Sequence, residues 1–164
     1  MTAVLREMRP EDLDRVVELE PILFGLGAWS RAVYAGEVGR ADRRYVVAVA
    51  DDVVVGYAGI ALAHECSVMT IGVAPGYRRR GLGAQLLQDL VEAARAVRAE
   101  SVFLEVRAQD EVAQHMYRSF GFDPLGIRPG YYQPEGADAL VMRLPLDAPA
   151  SRRIGPLGAE RDEE

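Results

Sequence analysis

The sequence predicts an α+β (mixed α/β) fold, one sheet with helices packed against it, and three observations carry that prediction. The first half holds consecutive short apolar runs joined by turns, the pattern of antiparallel strands. A long helical pattern from Leu82 lies between two further apolar runs, His64 to Val73 and Ser101 to Val106. A strand–helix–strand unit of that length implies a parallel pair with a right-handed crossover. Antiparallel strands followed by a parallel crossover describe a sandwich about a single sheet, not a doubly wound fold.

The elements follow in order. Val4 to Arg9 alternates moderately and predicts a first strand. Pro10-Glu11-Asp12 looks like a helix start, with Leu13, Val16, Val17 and Leu19 forming an apolar face to about Pro21. Phe24 to Ala28 is a Gly-rich loop, and Ser30 suits the N-cap of a short helix to about Gly39. Arg44 to Ala50 and Val53 to Ala63, joined by Asp51-Asp52, predict a hairpin. In the long helix Leu82, Leu86, Leu90, Ala94 and Val97 share a face that Leu87 and Val91 widen. Asp110 to Phe120 has helical spacing at Val112, Ala113, Met116, Tyr117 and Phe120, and Ala139 to Leu144 is a last strand. One domain over residues 1–146 is expected, then a flexible tail over 147–164 with scattered Pro and Gly and a charged end.

Composition narrows the partners. The net charge of −6 argues against electrostatic binding of nucleic acid and favours a cationic substrate such as an amine. No apolar run approaches the roughly 20 residues of a membrane span. Cys66 is the only cysteine, so no internal disulfide forms. The N-terminus lacks a signal-peptide layout, and a cytoplasmic protein with no membrane partner is expected. All 19 basic residues are arginines, which removes lysine as a catalytic group. His64 and His115 have no second ligand at metal-like spacing, so no metal is expected.

The richest segment runs from Ile71 to Ala84. A strand ending Ile71-Gly72-Val73 is followed by the turn Pro75-Gly76, then Arg78-Arg79-Arg80-Gly81-Leu82-Gly83-Ala84 at the start of the long helix. Glycines let a backbone approach a ligand closely, and the first helical N–H groups lack partners. With the helix dipole, they form a site for phosphate or pyrophosphate. The third glycine of a dinucleotide fingerprint is missing, because Leu86 holds that place, and the P-loop lysine is absent. An ordinary basic turn capping a helix is the bland alternative.

Arg78 to Gly83, in the pattern R-x-x-G-x-G, resembles the acyl-CoA loop of the GNAT family of N-acetyltransferases. Leu104-Glu105-Val106-Arg107, then Tyr117 followed by Gly121-Phe122, then Tyr131-Tyr132, with Trp29-Ser30 earlier, resemble the branch that acetylates the N-terminal alanine of ribosomal protein S18. The likeness spans Leu5 to Leu144. It implies a GNAT-like single mixed, mostly antiparallel sheet of about seven strands, flanked by about four helices. It also implies acetyl-CoA as co-substrate and a protein N-terminus as acceptor.

The resemblance assigns roles residue by residue. Glu105 would be the general base and Tyr117 the general acid; a paired strand-end glutamate and a core aromatic are the alternatives. Ile71, Gly72 and Val73 would meet pantetheine through their backbones where the strand splays from its parallel neighbour. The Val73 N–H would polarise the thioester carbonyl. Arg78 and Arg80, with the N–H groups of Gly81, Leu82, Gly83 and Ala84, would hold the CoA phosphates, and Arg79 would face solvent. Trp29, Tyr131 and Tyr132 would wall a peptide groove, and Arg107 would position substrate or form a salt bridge. Asp110 stands where the branch usually carries Asn. An ionised Asp cannot donate, so it is either a cofactor contact or a helix cap. Two other functions fit the same residues: transfer to a small amine, and acyl-CoA binding without catalysis.

Overall fold

The computed structural model describes residues 2–146, so the tail expected at 147–164 lies outside the described residues. Within them the order is β1 (Val4–Glu7), α1 (Leu13–Phe24), α2 (Arg31–Glu37), β2 (Arg43–Ala50), β3 (Val53–Ala61), β4 (Glu65–Val73), α3 (Leu82–Ala96), β5 (Ser101–Arg107), α4 (Glu111–Phe120), β6 (Asp123–Tyr132) and β7 (Ala137–Pro145). The strands form one sheet in the order β1-β2-β3-β4-β5-β7-β6. Only β4 and β5 pair parallel, with α3 as the crossover, and every other pair is antiparallel. This is the expected mixed, mostly antiparallel sheet.

Successive residues of a strand face opposite sides, which places the helices. The Tyr57 hydroxyl reaches Glu20 of α1, whereas a Cβ on Gly56 would meet Leu86 of α3. So α1 and α2 cover one face and α3 the other. A Cβ on Gly83 would meet Met116, which sets α4 beside the start of α3. The core lies on both faces of β2 and β3: Val46, Ala48, Ala58 and Ile60 share the Gly56 face with Leu86, Leu87, Leu90 and Ala94 of α3, and Val47 and Val55 lie on the Tyr57 face. Each buried leucine contributes about 1.5–3 kcal/mol relative to an exposed one.

Four departures from the sequence reading have physical causes. Helix α1 continues past Pro21, because Leu23 and Phe24 in its last turn pack over Gly72 of β4. Val97 is not on the buried face of α3; it is the C-cap and is half-exposed. Val112 lies in the first turn of α4 and is exposed. The polar Gln114 is buried there instead, its amide donating to the carbonyls of Arg107 and Ala108 at 3.0 and 2.9 Å. Strand β6 carries no alternating pattern, since Pro124, Gly126, Pro129 and Gly130 interrupt it. It is an edge strand with register shifts against β7, the setting in which proline is tolerated.

Gly59 faces Tyr45 across β2 and β3, and a Cβ there would sit 2.1 Å from the ring. The ring is anchored by its hydroxyl, which donates to Glu37 at 2.7 Å. Gly59→Ala is therefore expected to destabilise the fold by about 3 kcal/mol, the upper end for overpacking. Urea unfolding measures it, and an unchanged midpoint would mean that the ring moves aside without cost.

Candidate active site

The sheet opens at its one parallel pair. Strands β4 and β5 pair only from Glu65 to Ser67 against Ser101 to Phe103, although β4 continues to Val73 and β5 to Arg107. On its other side β4 stays paired with β3 up to Val73. Antiparallel pairs alternate the direction of their backbone groups. The bond from the Ala74 N–H to the Val55 carbonyl fixes that phase. It turns Gly72 toward β3 and leaves Ile71 and Val73 facing the opening. The Val73 carbonyl accepts from Arg78 Nε at 3.2 Å. Unpaired strand backbone of this kind is a template for another extended amide-bearing group.

The basic loop follows at the mouth of that opening. Arg79 and Gly81 both have positive φ, +64° and +79°, which folds the chain back into α3. The first helical bond runs from the Gln85 N–H to the Gly81 carbonyl, so the N–H groups of Leu82, Gly83 and Ala84 have no helical partner. Arg78, Arg79 and Arg80 are exposed, and the Arg80 guanidinium lies 5.2 Å from the centre of the Tyr77 ring. This donor set fits a pyrophosphate. Because the Cβ missing from Gly83 would lie 3.3 Å from Met116 Sδ, this glycine also sets the gap between α3 and α4. Gly83→Leu should weaken acetyl-CoA binding about tenfold or more, about 1.4 kcal/mol by titration calorimetry. Gly83→Ala should be milder because Met116 is flexible. Unchanged affinity in a folded Gly83→Leu variant would remove the loop and this gap from the binding site.

Glu105 lies on the sheet face that α1 and α2 cover farther along. Its neighbours Leu104 and Val106 are buried on the opposite face, while Glu105 and Phe103 are only half-buried and Arg107 is exposed. Arg128 of β6 donates to Glu105 Oε2 at 3.3 Å and lies 4.6 Å from the centre of the Tyr131 ring. The Tyr131 hydroxyl donates to Glu105 Oε1 at 3.5 Å. Tyr131 and Tyr132 pack edge to face at 5.0 Å. Arg107 sits 4.4 Å from the centre of the Tyr132 ring and pairs with the exposed Glu135. A carboxylate beside aromatic faces suits a cation, and here Arg128 supplies one.

Tyr117 is buried on α4, with Phe122 at 5.8 Å. Burial first, then the Asp110 carboxylate and Tyr132, push its hydroxyl above the ordinary tyrosine range, so it stays protonated. The hydroxyl has no hydrogen-bond partner among the described residues, yet the one sealed side-chain oxygen without a partner is Ser101 Oγ. The Tyr117 oxygen is therefore not sealed from solvent. Burial likewise pushes Tyr132 up to about 12, with Glu105 and Asp110 adding to it. Glu105, Asp110, Tyr117 and Tyr132 thus share one electrostatic neighbourhood. Asp110 itself caps α4, accepting from the Ala113 N–H at 3.0 Å.

Trp29 stands at the turn between α1 and α2, 5.3 Å from Tyr34. Two residues that sequence reasoning did not single out matter here and at Glu105: Glu20, buried beneath this turn, and Arg128. No motif marks either one; each is placed by contacts from distant parts of the chain. His64 is exposed and pairs with Glu100 at 3.0 Å. No group of three metal-ligating side chains occurs among the described residues, and no described helix is long and apolar enough to cross a membrane.

A single sheet splayed at its parallel pair, with a basic helix start at the mouth of the splay, defines an acyl-CoA-dependent transferase class. Residues 2–122 match the acetyltransferase (GNAT) family, and the chain belongs to that family. It is an acetyl-CoA-dependent N-acetyltransferase. The N-alpha-acetyltransferase RimI of Mycobacterium tuberculosis is 41% identical over 138 residues, 80% of this chain and 85% of that protein. The uncharacterized protein ML0378 of Mycobacterium leprae is 42% identical over 146 residues, 85% of this chain but only 40% of that protein. The crystal structure of the ribosomal-protein-S18-alanine N-acetyltransferase from Escherichia coli superposes with a TM-score of 0.82 at 26% identity, covering 91% of this chain and 97% of that one.

Proposed function

We propose that this chain acetylates the α-amine of protein N-termini, with the N-terminal alanine of ribosomal protein S18 as its substrate. That substrate would place the reaction in the cytoplasm. The observation that carries the reading is a half-exposed carboxylate, Glu105, facing the Tyr131–Tyr132 arm beside an open strand edge. The names of the mycobacterial and E. coli relatives support it.

Bound acetyl-CoA supplies an activated acetyl thioester; the residues do the rest. Ile71 and Val73 align the pantetheine arm along the open strand edge, while Gly72 between them stays bonded toward β3. The Val73 N–H polarises the carbonyl oxygen as it gains charge. Arg78, Arg80 and the N–H groups from Gly81 to Ala84 hold the phosphates, while Arg79 faces solvent. Trp29, Tyr131 and Tyr132 wall the peptide groove. Glu105 takes the ammonium proton, directly or through one water, so that the nitrogen lone pair can attack the carbonyl carbon. As the C–S bond breaks, Tyr117 gives its proton to the departing sulfur, and the nitrogen releases its second proton, through water, back to the Tyr117 oxygen to leave the neutral amide. Transfer is direct, with both substrates bound. Arg107 holds the arm through Tyr132 and Glu135, and Asp110 acts by capping α4.

The choice of amine follows from proton affinity. With reference values near 7.8 and 10.4, roughly a seventh of α-amines are neutral at pH 7, against about one lysine in 2,500. A peptide beginning with alanine should therefore exceed an N-terminally blocked peptide with an internal lysine by about 100-fold or more in kcat/KM. Spermidine serves as a third acceptor. Preference for the lysine peptide would sink the Nα reading, and preference for spermidine would favour a small-amine enzyme. No turnover with any of them would favour a binding module.

A further inference from the structure

Glu20 is a carboxylate in the last turns of α1, 2% exposed, with no arginine or histidine paired to it among the described residues. Three donors converge on it. The Trp29 N–H reaches Oε1 at 2.7 Å, and the Tyr34 and Tyr57 hydroxyls reach Oε2 at 2.7 and 2.6 Å. The donors come from the α1–α2 turn, from α2 and from β3. A buried carboxylate is costly unless its lone pairs are filled, and three short bonds fill them here. Burial and these bonds push both tyrosines far above their ordinary range, so each remains a donor.

We propose that Glu20 is a positioning residue for the acceptor peptide, holding the turn that carries Trp29 at a fixed height over the sheet. The proposal rests on the reading of Trp29 as a groove wall. Besides the exposed Arg31–Asp14 ion pair just past the turn and the packing of Trp29 on the core, little else fixes it. It passes through Gly25 and Gly27, and its own backbone bond is Ala28 N–H to Gly25 carbonyl at 3.1 Å. The Trp29 ring leans on Tyr34, which Glu20 also holds. One carboxylate thus sets the backbone of the tryptophan and the surface beneath its ring.

Trp29 is the only tryptophan in the chain, so its fluorescence reports on the turn directly. Glu20→Met keeps the length of the side chain and removes both acceptor oxygens. It should shift Trp29 emission to the red, increase its quenching by acrylamide and raise the peptide KM about tenfold or more. Acetyl-CoA affinity should stay within about twofold, since the loop and the strand edge are untouched. Glu20→Gln should stay near the parent in all of these. Its oxygen can still accept from Trp29, and its amide can donate to the tyrosine oxygens. Unmoved Trp29 emission in folded Glu20→Met would overturn the proposal, as would a raised KM without a change in emission. A red shift with unchanged peptide KM would uphold the hold on the turn and overturn the groove role of Trp29. Hydrogen exchange of the unaltered protein provides a check that needs no variant. The Trp29 amide should exchange far more slowly than those of Leu26 and Gly27, and equal rates would also overturn the proposal.

Discussion

Glu105→Gln should lower kcat by about 10²–10⁴-fold while acetyl-CoA binds as before. Gln keeps the shape of the side chain but cannot accept the ammonium proton. The change also unpairs Arg128, which lies 3.3 Å from the carboxylate and stacks on Tyr131. A guanidinium left without its partner repels an arriving ammonium, so the peptide KM should rise as well. Loss of stability will not confuse the result. An ion pair this exposed contributes at most about 1 kcal/mol, and the urea midpoint should barely move. Steady-state kinetics with an alanine-starting peptide, alongside calorimetry for acetyl-CoA, separates these effects. A variant running at the parent rate would remove Glu105 as base and leave positioning and the Val73 N–H to account for catalysis.

What the sequence made legible differs by kind of information. The basic loop at the start of α3 was visible because it is local: Pro75, Gly76, three arginines and Gly81 each impose a backbone or charge requirement within ten residues. Strands β2 to β5 were visible because burial on a sheet writes itself as apolar runs. Strand β6 was not, because an exposed edge strand has no face to bury and tolerates its prolines. The open edge at Ile71 and Val73 was an expectation from family likeness alone; register supplies it physically, through three paired positions and no more. Arg128 and Glu20 were beyond a linear reading. Arg128 meets Glu105 from 23 residues away, and Glu20 meets Tyr57 from 37 away. Neither position differs in pattern from its neighbours. Side-chain networks closed by tertiary contact leave no periodic trace.

Tyr117→Phe should cut kcat by about 10²-fold, the low end for a proton-transfer group. The reason for the low end is the leaving group. A thiol with a reference value near 8.5 departs as thiolate far more readily than an alkoxide, so protonation assists the step without being indispensable. The substitution itself is structurally mild. The ring packs against Phe122 and would stay there, and the hydroxyl removed has no partner among the described residues. Deleting an unpartnered hydroxyl that is not sealed from solvent costs little, so the urea midpoint should hold within about 0.5 kcal/mol. Acetyl-CoA affinity should likewise stay near the parent. The pH dependence adds a second test. Burial, the Asp110 carboxylate and Tyr132 all push the Tyr117 hydroxyl up, so its acid form is fully present at and below pH 10. In the parent, kcat should therefore show no falling alkaline limb through pH 9 to 10, where an unshifted tyrosine would begin to lose its proton. A steep fall in that range would mean that the hydroxyl titrates normally and is not held in its acid form. A Tyr117→Phe variant turning over at the parent rate, with the peptide saturating, would show that the thiolate leaves unaided and that Tyr117 only closes the core beside Phe122.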